Sequence, residues 1–181
     1  MSPLPFSAEV EIVLLLASSV HRYEGRPADG PLPAVGAETH PSIHLRAGLG
    51  IVGDRHFGQR AHAHASVTVM NAAVLDRVAD DLGLPRTLDP AATRRNILLR
   101  GVDVDALRGA RFSLDSGDGP VEFLANRPAN PCAWMDVTLA PGAHRALRGR
   151  GGMRCEPLTD GILRLGPARL RSSLPLSATG A

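Results

Sequence analysis

The most reactive group this sequence offers is a single thiol in a proline-bounded turn. Cys132 stands in Asn130-Pro131-Cys132-Ala133-Trp134, with proline before it and an apolar turn after it. That pattern places the thiol near a helix start, where unpaired amide N–H groups and the helix dipole favour a thiolate. Such a thiolate serves as nucleophile, sulfur carrier or soft-metal ligand. The bland alternative is a small buried hydrophobe, as most free cysteines are. Cys155, inside a strand-like run, is expected to be one.

Two arginine clusters accompany it. Arg94-Arg95-Asn96, followed by Arg100 and Gly101, offers guanidinium forks and an amide suited to phosphate or a planar polar ligand. Arg148, Arg150, Gly151, Gly152 and Arg154 form the second, where paired glycines could present backbone N–H groups to an anion. Either cluster alone also reads as a solvated basic face. Both together with a thiolate point to an anionic ligand. A third constellation is His56, His62 and His64. If the segment is extended, His62 and His64 share a face and could hold zinc with His56, leaving a position open for water. No carboxylate stands nearby in sequence to support those imidazoles.

Composition narrows the chemistry further. All 20 basic residues are arginine, so no internal Schiff base can form, and pyridoxal-phosphate and lysine-nucleophile catalysis are excluded. Two cysteines cannot supply the four thiolates of a structural zinc or plant-type iron–sulfur site. A net charge of +2 with six scattered aromatics does not make a nucleic-acid surface. The longest apolar run, Ile12 to Ala17, is too short to span a bilayer, and the start lacks a basic n-region. A cytoplasmic protein with no membrane partner is therefore expected.

The elements that must position these groups are mostly short strands. Glu9 to Ser18 reads as a buried strand, Ser42 to Arg46 as a short alternating one, and Ser66 to Met70 as a β-branched one. Gly48 to Gly58 carries four glycines around Asp54, Arg55 and His56, a loop needing unusual backbone angles. Asn71 caps a helix running through Val74, Leu75, Val78 and Leu82, with Gly83 as its stop. Asn96 to Leu99 is a strand. Ala110 to Phe123 is a hairpin about the turn at 116–120, and Met153 to Leu158 with Ile162 to Leu165 a closing hairpin. Pro131 to Val137 and Pro141 to Leu147 read as short proline-opened helices. The pattern predicts a mainly β domain, a barrel with a few helical (α+β) insertions, with an α+β sandwich as the alternative. It speaks against a doubly wound sheet.

Seven segments in order resemble MOSC domains: Gly48-Leu49-Gly50-Ile51-Val52-Gly53-Asp54-Arg55-His56, Val67-Thr68-Val69, Arg94-Arg95-Asn96, Arg100-Gly101-Val102-Asp103, Leu107-Arg108-Gly109-Ala110-Arg111-Phe112, Pro131-Cys132 and Gly149-Arg150-Gly151-Gly152. The resemblance implies one MOSC domain over 1–181, with a core at about 9–166 and a C-terminal tail at 167–181. It implies a MOSC-type β-barrel that binds molybdenum cofactor or handles activated sulfur, with the family's motif cysteine on Cys132. The thiolate would then ligate molybdenum, as in relatives that reduce N-hydroxylated compounds, or carry sulfur as a persulfide. Arg94, Arg95 and Asn96 would hold the pterin phosphate or position the cofactor. Asp54, Arg55 and His56 would line the same mouth, with His56 a proton donor. Arg100, Arg150, Gly151 and Gly152 complete the expected cofactor-binding set. Asn130 departs from the acidic residue common before Pro-Cys in relatives. A separate electron or sulfur donor protein and a small-molecule substrate are expected. A non-catalytic cofactor-binding or delivery protein is the second reading, and a zinc hydrolase on His56, His62 and His64 the third.

Overall fold

The computed structural model describes residues 3–177. Among them lie ten strands and three α-helices. In chain order these are β1 (Phe6–Leu15), β2 (Ser42–Arg46), β3 (Gly50–Ile51), β4 (Val67–Asn71), α1 (Ala73–Asp81), β5 (Ile97–Arg100), β6 (Arg111–Asp115) and β7 (Val121–Pro128). They continue with α2 (Trp134–Thr138), α3 (Ala143–Ala146), β8 (Met153–Pro157), β9 (Gly161–Arg164) and β10 (Gly166–Ser172). Seven strands close a barrel in the order β1-β10-β6-β7-β8-β4-β5, and β3-β2-β9 form a small separate sheet. This is the mainly β barrel with few helices that the residue pattern predicted. No helix among the described residues is long and apolar enough to cross a membrane.

Alternation along each strand separates two cores. Val67, Val69, Ile97, Leu99, Phe112, Phe123, Met153, Cys155 and Leu170 fill the barrel interior, where the Phe112 and Phe123 rings stack at 5.2 Å. Met70, Val74, Leu75, Val78, Leu98, Trp134, Met135 and Leu139 form a second cluster that seats the helices. β1 serves both. Its pairing with β5 slips between Ile12 and Leu14, so Val10 and Ile12 face inward before the slip, and Leu15 after it. Leu14 and Leu16 then fall to the helical side, because one extra residue reverses the parity of everything that follows. β4 and β5 run parallel, which a tight turn cannot connect. The crossover through α1 supplies the connection; its N-cap is Ala72 rather than the expected Asn71, which ends β4 and whose Oδ1 accepts the Ala73 N–H.

Three further sequence expectations are corrected. Residues 167–172 are not tail: β10 lies in the barrel wall between β1 and β6. Met153–Pro157 and Gly161–Arg164 do not pair as a hairpin. Both edges of β8 are taken by β7 and β4, so β9 turns away to pair with β2. The two proline-opened helices are shorter than expected, at five and four residues.

Candidate functional site

The barrel interior is filled with hydrocarbon, so the candidate site lies outside it. Thr68 faces Arg154 across the β4/β8 pair. Their strand neighbours Val67, Val69, Met153 and Cys155 point inward, so both side chains point outward. Over this stretch of wall lies a cavity of about 270 Å³. The segment after β1 brings Arg22 and Tyr23, the loop after β3 brings Arg55 and His56, and the turn before β4 brings His62. Arg94, Arg95 and Asn96 arrive just ahead of β5, and Cys132 on the segment after β7. Five guanidiniums therefore line the cavity, with no carboxylate among its described lining residues.

Cys132 is exposed at this cavity, whereas Cys155 is sealed in the barrel and burial pushes its thiol well above the usual range. Helix α2 begins two residues after Cys132, whose carbonyl accepts the Met135 N–H at 3.0 Å. The approach to the thiol is fixed by Arg95. Its Nε donates to the Gly151 carbonyl at 2.9 Å and its Nη2 to the Ala129 carbonyl at 2.7 Å. Burial, then the neighbouring Arg154, draws the Arg95 guanidinium down to about 10, while Cys132 and Asp105 oppose the shift. Arg95 still carries its charge at neutral pH.

Asn96 is wholly engaged. Its Nδ2 donates to the Leu16 carbonyl at 3.0 Å and to Asp54 Oδ2 at 3.3 Å, and its Oδ1 accepts from the Thr68 backbone and hydroxyl at 2.9 and 2.8 Å. It locks β1, β4 and the glycine-rich loop together rather than presenting a free amide. Asp54 is buried, accepts from the backbone N–H groups of Ser18 and His56, and is not a lining residue. It shapes the loop that carries Arg55 and His56 and does not itself line the site.

Arg94 takes a left-handed backbone, φ 58°, alone among the described non-glycine residues. Its buried guanidinium donates to Glu38 at 2.8 Å and lies 5.9 Å from the centre of the Tyr23 ring. Tyr23 in turn stacks on Trp134 at 5.1 Å and donates its hydroxyl to the Ala92 carbonyl. Glu38 also accepts from Arg22 at 2.8 Å and Ser18 at 2.6 Å. Burial alone would raise the Glu38 carboxyl; the bonds from Arg94, Ser18 and Arg22 outweigh it and hold it at about 2. Burial, and then Arg55, pushes His56 down to about 4 against the pull of Asp54, so its ring is neutral near pH 7. The expected proton donor is thus an uncharged imidazole in this pocket.

Several expected binding residues stand elsewhere. Arg100 pairs with Asp76 at 2.9 Å and Arg150 with Asp81 at 3.1 Å, both on open surface outside the cavity lining. Gly151 and Gly152 are packing positions. A Cβ on Gly151 would stand 2.2 Å from the Ala129 oxygen, and one on Gly152 2.2 Å from the Val69 oxygen. The Gly152 N–H is already given to Asp105, so it is not presented to an anion. The histidine triad does not assemble. Residues 60–65 form a 3₁₀ turn instead of an extended strand, and side chains two apart in such a turn diverge by about 120°. His62 packs on His56 at 4.5 Å, while His64 turns out to pair with Glu156. Among the described residues no group of three or more His, Cys, Asp or Glu could hold a metal ion.

Arg22, Tyr23 and Glu38 escaped the sequence reading. Glu38 lies in a Pro/Gly-rich stretch, and only the fold brings it to Arg94. Arg154 was visible as part of the second cluster, but only its place in β8 separates it from Arg148 and Arg150.

A family model, the MOSC domain, matches residues 52–168. No match is found among curated proteins. The crystal structure of the YUAD protein from Bacillus subtilis is similar at a TM-score of 0.70 and 17% identity, covering 93% of this chain and 98% of that one. YiiM from Geobacillus stearothermophilus is similar at 0.55 and 12% identity, covering 94% and 75%. YiiM from Escherichia coli is similar at 0.55 and 13% identity, covering 94% and 70%. At such identities these likenesses speak to the fold.

Proposed function

The chain belongs to the MOSC domain family, and from that membership we propose that its arginine-walled cavity receives the molybdenum cofactor, with the Cys132 thiolate as ligand to the metal. One observation carries this reading: an exposed thiol opens into a cavity lined by five guanidiniums and, among the described lining residues, no carboxylate. The residues fit such a group. Sulfur is the donor that a soft metal prefers, and Arg55, His56 and Arg94 leave buried nitrogens without partners for an anionic appendage. The bound cofactor would supply two-electron exchange with a small substrate of the N-hydroxylated kind.

The chain's own residues do the rest. The guanidiniums draw an anionic guest toward the wall. Arg95 holds the Ala129 and Asn130 carbonyls and thereby sets where the thiol stands. Trp134 and Tyr23 give one side of the cavity a rigid aromatic face. His56, neutral as placed, accepts or gives a hydrogen bond without adding a sixth positive charge. Electrons would come from a separate donor protein, in a cytoplasmic setting that keeps both thiols reduced.

The burial of Cys155 favours a second reading, sulfur carriage. With the other thiol sealed away, a persulfide on Cys132 has no internal thiol to discharge it. The Cys132 thiolate would attack the terminal sulfur of a donor protein's persulfide. A new S–S bond forms, and the donor leaves as its thiolate with no net oxidation.

Metal analysis and intact mass of freshly isolated protein, wild type beside Cys132→Ser, test both. The cofactor reading expects molybdenum in the wild type, lost in the variant and in protein from a host unable to make molybdopterin. A sulfur-sized mass increment on Cys132 without molybdenum selects the carrier. Equal molybdenum in wild type and Cys132→Ser overturns the ligand role. Cofactor bound without turnover by any electron donor marks a delivery protein.

A further inference from the structure

One corner of the cavity is built for more than charge attraction. Arg94 is 7% exposed; its Nη1 is spent on Glu38, and its Nη2 has no partner. Arg55 reaches the Asp54 carboxylate only at 3.7 Å, and its Nε and Nη1 are buried without partners. His56 gives its backbone N–H to Asp54 and leans its ring on His62, while its buried Nδ1 is likewise unpartnered. Four buried nitrogens on three cavity-lining side chains thus stand unmatched. Leaving buried polar groups unmatched costs free energy, and guanidinium N–H groups find their best acceptor in an oxyanion. The left-handed backbone of Arg94 adds strain of the sort retained at ligand sites.

We infer that Arg55, His56 and Arg94 form an oxyanion-binding subsite whose occupant draws a proton onto His56. The inference rests on the proposed reading of the cavity as an anion site, but it does not need the thiol. The groups that set the charge on the ring are Arg55 and Asp54 from its own loop, His62 from the turn before β4, and Arg154 from β8. Arg94 and Cys132 line the same cavity from the remaining sides. In the free cavity burial and the cations keep the ring neutral. A dianion held by Arg55 and Arg94 offsets those cations and gives an Nδ1–H a partner, so the protonated ring becomes the favoured form. By linkage, affinity then rises as pH falls, by up to about tenfold per pH unit between the free and bound titration points.

Inorganic sulfate is the probe, because its own charge is constant across the range. Calorimetric titration of the full chain at about pH 5.5 and about pH 7.5, in buffers of different ionisation heat, measures affinity and proton uptake together. The expected result is uptake approaching one proton per sulfate at the lower pH and at least about tenfold weaker binding at the higher. His56→Gln removes the uptake and flattens the pH dependence. Arg94→Gln and, as a variant that leaves the Glu38 clasp untouched, Arg55→Gln each weaken sulfate about tenfold or more. Sulfate binding with no proton uptake overturns the role of His56. No sulfate binding, or binding indifferent to both arginine variants, overturns the subsite. The same titration on Cys132→Ser protein separates this failure from that of the thiol reading, since the three donors remain there when molybdenum retention is lost. Cofactor-loaded protein identifies the physiological occupant: sulfate excluded from it means the cofactor phosphate, and sulfate still bound means a free oxyanion.

Discussion

Glu38 accepts from Arg94 at 2.8 Å, and this contact ties the loop following β1 to the segment that opens β5. Because Arg22 donates to the same carboxylate, one acidic side chain sets two of the five guanidiniums of the cavity. Glu38→Gln keeps the shape and removes the charge. We expect a loss of about 1–2 kcal/mol in urea unfolding at neutral pH. The pH course carries the sign. A carboxyl held at about 2 in the fold, below its ordinary 4.5, stabilises above 4.5 and loses that contribution as pH falls toward 2. Wild type should therefore lose more stability than Glu38→Gln between those limits. Parallel losses in the two proteins would show that the clasp contributes nothing.

The two thiols should behave as different substances. A colorimetric thiol reagent should titrate Cys132 alone in native protein, and both cysteines only in denaturant, because Cys155 is fully buried. Two fast-reacting thiols in the folded chain, or none, would contradict this arrangement.

Asn96 joins three parts of the fold through one amide. Asn96→Ala would leave the Leu16 carbonyl, the Thr68 N–H and hydroxyl and one Asp54 contact unmet, costing about 2–4 kcal/mol. Asn96→Asp, equal in size, should cost at least as much, since it sets a second carboxylate against Asp54. Thermal unfolding of the pair decides it: a near-wild-type Tm for either variant refutes the lock.

Gly151 and Gly152 differ from the glycines of the turns in what surrounds them. Gly151→Ala drives a methyl against the Ala129 oxygen and Gly152→Ala one against the Val69 oxygen, each starting from 2.2 Å. Either substitution should cost about 2 kcal/mol or more and disturb the Arg95 bonds that set the Cys132 segment. The readouts are Tm and the rate of Cys132 modification. Gly149→Ala, with open space about its Cβ but a positive φ, should cost less, about 1 kcal/mol.

The strands were legible because their alternation is strong: Val67 and Val69 inward, Thr68 outward, is readable directly from residue types. The bulge in β1 was not, since a parity change has no signature in a run of apolar residues. Of the site, Cys132, Arg55, His56, Arg94 and Arg95 were found by chemical type and resemblance. Yet sequence could not tell which arginines spend themselves on surface carboxylates: Arg100 and Arg150 have Asp76 and Asp81 beside them only once α1 has folded. The zinc triad failed on a point of local geometry. His-x-His has one meaning in a strand and another in a 3₁₀ turn, and the alanine-rich segment gives no periodicity to choose between them.

Because the cavity rests against the outside of the β4/β8 wall, the interior and the chemistry can be altered independently. A protein engineer could repack Phe112, Phe123, Leu170 and their neighbours for heat resistance without touching a group that a ligand would meet. Conversely, new specificities could be selected in the loops at 21–23, 55–56 and 130–132 on an unchanged scaffold. Thr68 and Arg154 in the barrel wall, Asn96 in its lock, and Trp134 and Met135 in the second core serve frame and cavity alike, and a library should leave them fixed.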